Sequence, residues 1–239
     1  HFDYVVIGEG EQVILDILEG KLNKGITKTK RELDLNSIPY PAWDKLEHPF
    51  SDTLFPGERY GKGELAMTII ASRGCSFSCS FCANLHRAPI IYRSIDNIIG
   101  ELKELMNRGV THFRFEDDNF TLHPEYKSLC AELKKLNIRY KAHTRSDLMN
   151  PWRAEMMAES GCEECGLGVE SADDKVLKLN NKRETAADHI RAIRNLKSAG
   201  IRVKTYFMAG LPGETQETLN LNKQFVRDTK PEKWTVSTF

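Results

Sequence analysis

The rhythm of apolar and polar positions changes twice along the chain. Residues 4–10 (YVVIGEG) form an apolar run that ends in a Gly-rich turn, and Val13, Ile14, Ile17, Leu18 and Leu22 then recur at helical spacing. That is one strand–turn–helix step of the kind found in a doubly wound sheet. One strand and one helix cannot make a core, so residues 1–22 read as the remnant of a domain. From Asn23 to about Gly63 the periodicity disappears. Pro39, Pro41, Pro49 and Pro56 punctuate this stretch, and residues 37–44 (SIPYPAWD) read as extended chain before a turn. Residues 23–63 are therefore expected to be a linker, packed on a neighbour through Ile38, Trp43, Leu46 and Phe50.

Regularity returns in residues 64–239. Residues 65–72 (LAMTIIAS) predict a buried strand. A helix over 94–108 follows, with Ser94 as its cap, Gly109 as its stop, and Ile95, Ile98, Ile99, Leu102, Leu105 and Met106 on one face. Strands are then expected at 112–117, 139–144, 165–170, 202–210 and 234–239. The helices between them begin at Pro124, at Asn150–Pro151 and after Thr185, and the last carries Leu219, Asn222, Phe225 and Val226. Strict alternation implies parallel strands joined by right-handed crossovers. The recurring helix–Gly/Asn–strand rhythm favours a partial (β/α)6 TIM-like barrel, an α/β fold whose chemistry sits at the C-terminal ends of the strands. An open doubly wound sheet is the alternative.

Composition narrows the function classes. The chain has 239 residues, 40% of them hydrophobic, enough for one sizeable core and part of another. Thirty-four basic residues balance 34 acidic ones, so no charge excess points to nucleic acid as a partner. The apolar runs are too short to span a membrane. There is no signal peptide, and the chain starts and ends in strand-like runs, so it reads as an excerpt of a longer cytoplasmic protein.

Three of the six cysteines, Cys75, Cys79 and Cys82, fall within one C-x3-C-x2-C stretch directly after the first barrel strand. Two chemistries compete for it. Three thiolates can hold three irons of a [4Fe–4S] cluster and leave the fourth open to an external ligand. With His86 as a fourth ligand, they could instead hold a structural zinc. Placement favours the cluster, because the other unusual residues also fall at strand ends. Residues 116–120 (EDDNF) end the second barrel strand, 143–147 (HTRSD) the third, 168–171 (GVES) the fourth and 209–215 (AGLPGET) the fifth. All would meet at one mouth. Cys162 and Cys165 lie at the opposite end of the fold and Cys130 on a helix face, so these three read as core. Among His112, His123, His143 and His189, only His143 stands at a strand end and is a candidate for a substrate role.

With these residues in place, the chain from Leu65 onward resembles the radical S-adenosylmethionine (SAM) enzymes, in which an aromatic residue, here Phe81, precedes the last cysteine. The resemblance implies that Phe81 touches the adenine of SAM. It implies that the segment around Glu116 and Asp117 meets the methionyl amino group through backbone carbonyls, or through the Asp118 carboxylate. Glu170 and Ser171 would meet the ribose or carboxylate, and Met208 and Gly210 the adenine. Arg145 could pair with the SAM carboxylate or with Asp147. The upstream GEGE turn and the SIPYPAWD stretch resemble the members that carry an N-terminal, Rossmann-like cobalamin-binding domain, although that domain's Asp-x-His-x-x-Gly signature is absent from this chain. Cofactors implied are a [4Fe–4S] cluster, SAM and, in the whole protein, cobalamin. The implied activity is reductive cleavage of SAM to a 5′-deoxyadenosyl radical, with methyl transfer to an unactivated carbon of a small-molecule or peptide substrate as the leading reaction. Ring closure and methylthiolation are the alternatives within the family. A one-electron donor such as flavodoxin or ferredoxin would be the partner.

Overall fold

The computed structural model describes residues 2–31, 34–45, 65–83 and 89–239. His86, and Leu46, Pro49, Phe50 and Pro56 of the expected linker, lie outside them. Strand β1 (Tyr4–Ile7) is followed by helix α1 (Glu11–Leu18) and by β2 (Gly25–Lys28), which pairs with β1 in parallel. A strand thus lies inside residues 23–63 and pairs with the first unit. Its sequence, GITK, has one large apolar residue and is mostly exposed, so no alternation marks it.

The main sheet begins with β3 (Leu65–Ile69). A two-residue antiparallel pair follows, β4 (Ser72–Arg73) with β5 (Ile91–Tyr92). Then come α2 (Ile95–Asn107), β6 (Val110–Phe115), α3 (Tyr126–Leu136), β7 (Arg139–Thr144), α4 (Pro151–Glu159) and β8 (Cys162–Glu170). Helices α5 (Asp174–Leu179) and α6 (Ala186–Ser198), strand β9 (Arg202–Ala209), α7 (Gln216–Thr229) and β10 (Lys233–Thr238) complete the chain. The six-stranded sheet is wholly parallel and runs β10-β9-β8-β7-β6-β3.

Because strand order follows chain order, right-handed crossovers place every helix on one face. A doubly wound sheet needs a reversal of order, so that alternative is excluded. β3 and β10 do not pair, so the sheet is a partial barrel. The caps that set helix boundaries are those the sequence implies. Ser94 accepts from Asn97 N, Asn150 accepts from Arg153 N, and Thr185 forms a capping box with Asp188. Gly109, Gly161 and Gly200 take positive φ after their helices.

The two faces of the sheet differ in chemistry, as side-chain alternation requires. Phe113, Phe115, Tyr140, Leu167, Val169, Val203 and Phe207 are buried against Ile98, Leu102, Leu129, Leu133, Met157 and Leu196 of the helices. Each such side chain contributes roughly 1.5–3 kcal/mol on burial. The other face carries charge. Glu164 sits between Lys141 Nζ at 4.0 Å and Lys233 Nζ at 3.1 Å, forming an ionic floor. Among the described residues no helix is long and apolar enough to cross a membrane.

Candidate active site

The cysteine loop is fixed at its stem. Asp117, just past β6, is buried, and its carboxylate accepts from Ala71 N at 3.0 Å and from Ser72 Oγ at 2.5 Å. Arg93 closes the other side of the stem. It donates to the Ile70 carbonyl at 2.7 Å and pairs with buried Glu101 at 2.6 Å. The far end of the loop is held by the residues after α5. Ser80 N donates to the Asn180 carbonyl at 3.0 Å, and Asn181 Nδ2 donates to the Ser78 carbonyl at 2.9 Å.

Between these supports lies a cleft of ≈ 350 Å³ at the C-terminal rim. Cys75, Cys79 and Cys82 line it together with Phe81, Asp118, Arg145 and Glu170. Burial pushes the Cys75 thiol above its ordinary range, and the Asp118 carboxylate adds to the effect. Burial likewise raises the Glu170 carboxyl, although Lys182 Nζ stands 3.9 Å away. Glu170 adopts φ +63° where β8 shifts register against β9, an uncommon conformation for a residue with a side chain. A Cβ on Gly168 would lie 2.6 Å from Glu170 Oε1, so that glycine makes room for the carboxylate.

Five of the expected SAM contacts lie off the cleft. Glu116 lines a neighbouring groove and pairs with Arg114 at 2.9 Å. The Asp117 carboxylate is spent on the loop stem, which leaves only its backbone for the role proposed from the sequence. Ser171 is fully buried, and its hydroxyl accepts from Asp173 N at 3.1 Å in the turn before α5. Met208 lines an apolar groove of ≈ 370 Å³ between β9, β10 and α7. Gly210 ends β9 and donates its N–H to Glu214.

Arg145 donates two hydrogen bonds of 3.0 Å to Asp147. Its guanidinium also donates to the Lys182 carbonyl at 3.0 Å, lies 3.4 Å from Glu184 and covers the Phe77 ring at 3.7 Å. Burial opposes its charge, but Asp147 and Glu184 more than offset that and hold it firmly protonated.

Lys182, Glu184, Arg114 and Tyr206 do not stand out in the sequence. Lys182 lines the cleft, 3.0 Å from fully buried Glu184, which itself accepts from Ser146 N at 2.6 Å. The only sequence sign of this pair is the charged run NNKRE inside an unusually long connection from β8 to α6. Deeper in the cleft His143 lies 3.4 Å from Arg114 and against the Tyr206 ring, whose centroid is 5.5 Å away. A Cβ on Gly166 would lie 2.8 Å from His143, so the glycine admits this layer.

The donor set can be tested against the metals considered. Among the described residues no three His, Cys, Asp or Glu side chains converge as one ion requires. An iron–sulfur cubane asks for something else, namely three thiolates on separate corners facing open space. Three thiols on one loop, lining a single cleft, fit that requirement.

Comparison with known proteins agrees. Residues 69–225 match the radical SAM superfamily. The chain is 29% identical to an uncharacterized methyltransferase of Pyrococcus horikoshii, over 99% of this chain and 55% of that protein. It is also 29% identical to the anaerobic magnesium-protoporphyrin IX monomethyl ester cyclase of Rubrivivax gelatinosus, over 99% of this chain and 47% of that protein. The chain thus spans about half the length of these relatives. Its fold is similar to that of the radical SAM methyltransferase TsrM from Kitasatospora setae, solved with cobalamin and a [4Fe–4S] cluster bound. There the TM-score is 0.67 and the identity 19%, over 72% of this chain and 34% of that one.

Proposed function

This chain belongs to the radical SAM superfamily, and from that premise we propose that it cleaves SAM reductively at a [4Fe–4S] cluster held by Cys75, Cys79 and Cys82. We place it within a cobalamin-dependent enzyme whose reaction is methyl transfer to an unactivated carbon. The observation that carries this reading is the cleft itself, where three thiols, Asp118, Glu170 and Lys182 line one space at the rim of a parallel half-barrel.

When bound, the cluster would supply the one electron that breaks the C5′–S bond of SAM to methionine and a 5′-deoxyadenosyl radical. The protein does the rest. Cys75, Cys79 and Cys82 would hold the cluster through their thiolates. Asp118 receives the methionyl ammonium of SAM, and Lys182 offers its ammonium to the carboxylate. Glu170 orients the ribose, with Ser171 supporting the turn beneath it. Phe81 would flank the adenine. Arg145, bound to Asp147 and Glu184, stiffens the rim. Arg114, His143 and Tyr206 form the floor on which a small-molecule or peptide substrate rests. A flavodoxin or ferredoxin in the cytoplasm serves as the electron donor the family requires.

Residues 1–22, with β2 added, are read as the remnant of a Rossmann-like cobalamin-binding domain. Ring closure is the second reading, favoured by the equal identity to the cyclase. Anaerobic reconstitution with iron and sulfide, followed by dithionite and SAM, tests the proposal. Protein with about four irons should release 5′-deoxyadenosine. Release at the same rate from the triple alanine variant of the three cysteines would overturn it.

A further inference from the structure

The cysteine loop is gripped from a second side that the proposed chemistry does not use. Arg73, the last residue of β4, lies two positions before Cys75. Its Nη2 is 2.8 Å from Glu11 Oε1 and its Nη1 is 3.4 Å from Glu9 Oε1. Its carbonyl accepts from Arg31 Nη2 at 2.7 Å, and Arg31 Nε is in turn 3.7 Å from Glu9. Glu9 is 5% exposed at its side chain and Arg73 21%, so this is no surface pair that solvent screens away. Glu9 and Glu11 follow β1, and Arg31 follows β2. Both ends of the first sheet therefore reach Arg73, Glu9 and Glu11 at its guanidinium and Arg31 at its carbonyl.

On the barrel side Asp117 fixes Ala71 and Ser72. The N-terminal unit fixes the next residue. Between them they determine where the chain turns at Gly74, φ +111°, and hence where Cys75 leaves the stem. We infer that Glu9 and Glu11 are positioning residues of the cysteine loop, acting through Arg73 so that the N-terminal unit sets the course on which Cys75 leaves the stem toward the cleft that would hold the cluster. The GEGE turn and the SRGC stretch are thus two halves of one clamp. A guanidinium between two carboxylates is a directional fork, unlike an apolar contact, which would hold the unit without aiming the loop.

The inference rests on the cluster assignment to Cys75, Cys79 and Cys82, and its test separates the two. The full-length protein is reconstituted anaerobically as the wild type, as Glu11→Arg, as Arg73→Glu and as the double exchange. Each is assayed for iron content, thermal midpoint and the change that SAM titration produces in the EPR spectrum of the reduced cluster. The single variants should keep about four irons but need roughly tenfold or more SAM for the spectral change. The double exchange restores the contact with position 11 in reversed polarity but sets a carboxylate at position 73 beside Glu9, so it should recover part of that loss. Glu9→Gln should weaken the response in the same direction with its iron content unchanged. SAM titrations that coincide across all variants would overturn the inference, as would single-variant losses that the double exchange leaves unrecovered. A wild-type protein that takes up no iron would overturn the cluster assignment itself.

Discussion

The chain carries two sets of three cysteines, and the molecule treats them oppositely. Cys75, Cys79 and Cys82 stand on a loop at the rim, bordering an open cleft among charged side chains. Cys130, Cys162 and Cys165 are 2%, 6% and 0% exposed, between α3 and β8 in the apolar core. Burial pushes all three core thiols up, Cys165 to about 12, so they stay protonated at neutral pH. Both sets contain C-x2-C. Spacing alone therefore does not make a metal site. A regular strand in a packed sheet cannot bend its thiols toward one corner each, whereas a loop anchored at both ends can.

The sharpest way to break the comparison is to exchange its terms. Replacing the three rim cysteines by alanine should reduce bound iron from about four per chain to none. Replacing the three core cysteines by alanine should leave iron content and colour intact. Iron analysis after anaerobic reconstitution reads both results, and iron lost from the core variant would reverse the assignment.

Behind the rim, Glu184 is wholly buried between Arg145 and Lys182. Glu184→Ala leaves two buried cations short of a carboxylate and should cost about 3–5 kcal/mol in denaturant unfolding. An effect below about 1 kcal/mol would mean that water reaches the network.

Asp117 gives the rim a pH signature that the core triad lacks. Burial raises its carboxyl to about 6, above the ordinary 3.8. The folded state therefore holds the proton longer than the unfolded chain, and stability is lost as pH rises from about 4 through 6. The penalty at neutral pH is about 3 kcal/mol. His189 runs the other way. Burial lowers it to about 3, so stability is lost as pH falls from about 6.5 toward 3. The test is therefore the difference between wild type and Asp117→Asn, which should vary with pH between about 4 and 7 and be flat above. A flat difference throughout would contradict the assignment.

The smallest effect contrasts single thiols. Cys165→Ser places a hydroxyl in the core and should cost roughly 1–3 kcal/mol. Cys82→Ser in the iron-free chain should stay within about 0.5 kcal/mol of wild type.

Much of this was legible before the fold was known. Ser94, Asn150 and Thr185 announce helix starts because a cap needs a short side-chain acceptor, and the helix and strand periods share no common face. The rim was legible because polar clusters recur at successive strand ends, although several of them, Asp117, Arg145 and Ser171 among them, turn out to brace the rim. Other elements leave no such trace. β2 is four residues long and mostly exposed, and β4 and β5 are two residues each, too short for any period. Helix α5 could have been found, since Asp173 caps it through Lys175 N and Val176 N. Which rim atoms face the cleft was not legible. Alternation assigns Met208 and Ser171 to a face only if the strand is regular, and β8 shifts register between Gly168 and Glu170. Lys182 comes from a connection rather than a strand, and only the tertiary fold brings it to the thiols.

The central claim is that three thiolates hold a cluster with one iron left open for SAM. Mössbauer spectra of protein reconstituted with iron-57, taken with and without SAM, test it most directly. The account predicts that SAM changes the signal of roughly one iron in four and leaves the others as they were. A spectrum that SAM leaves unaltered, or a colourless protein holding zinc in place of iron, would contradict it.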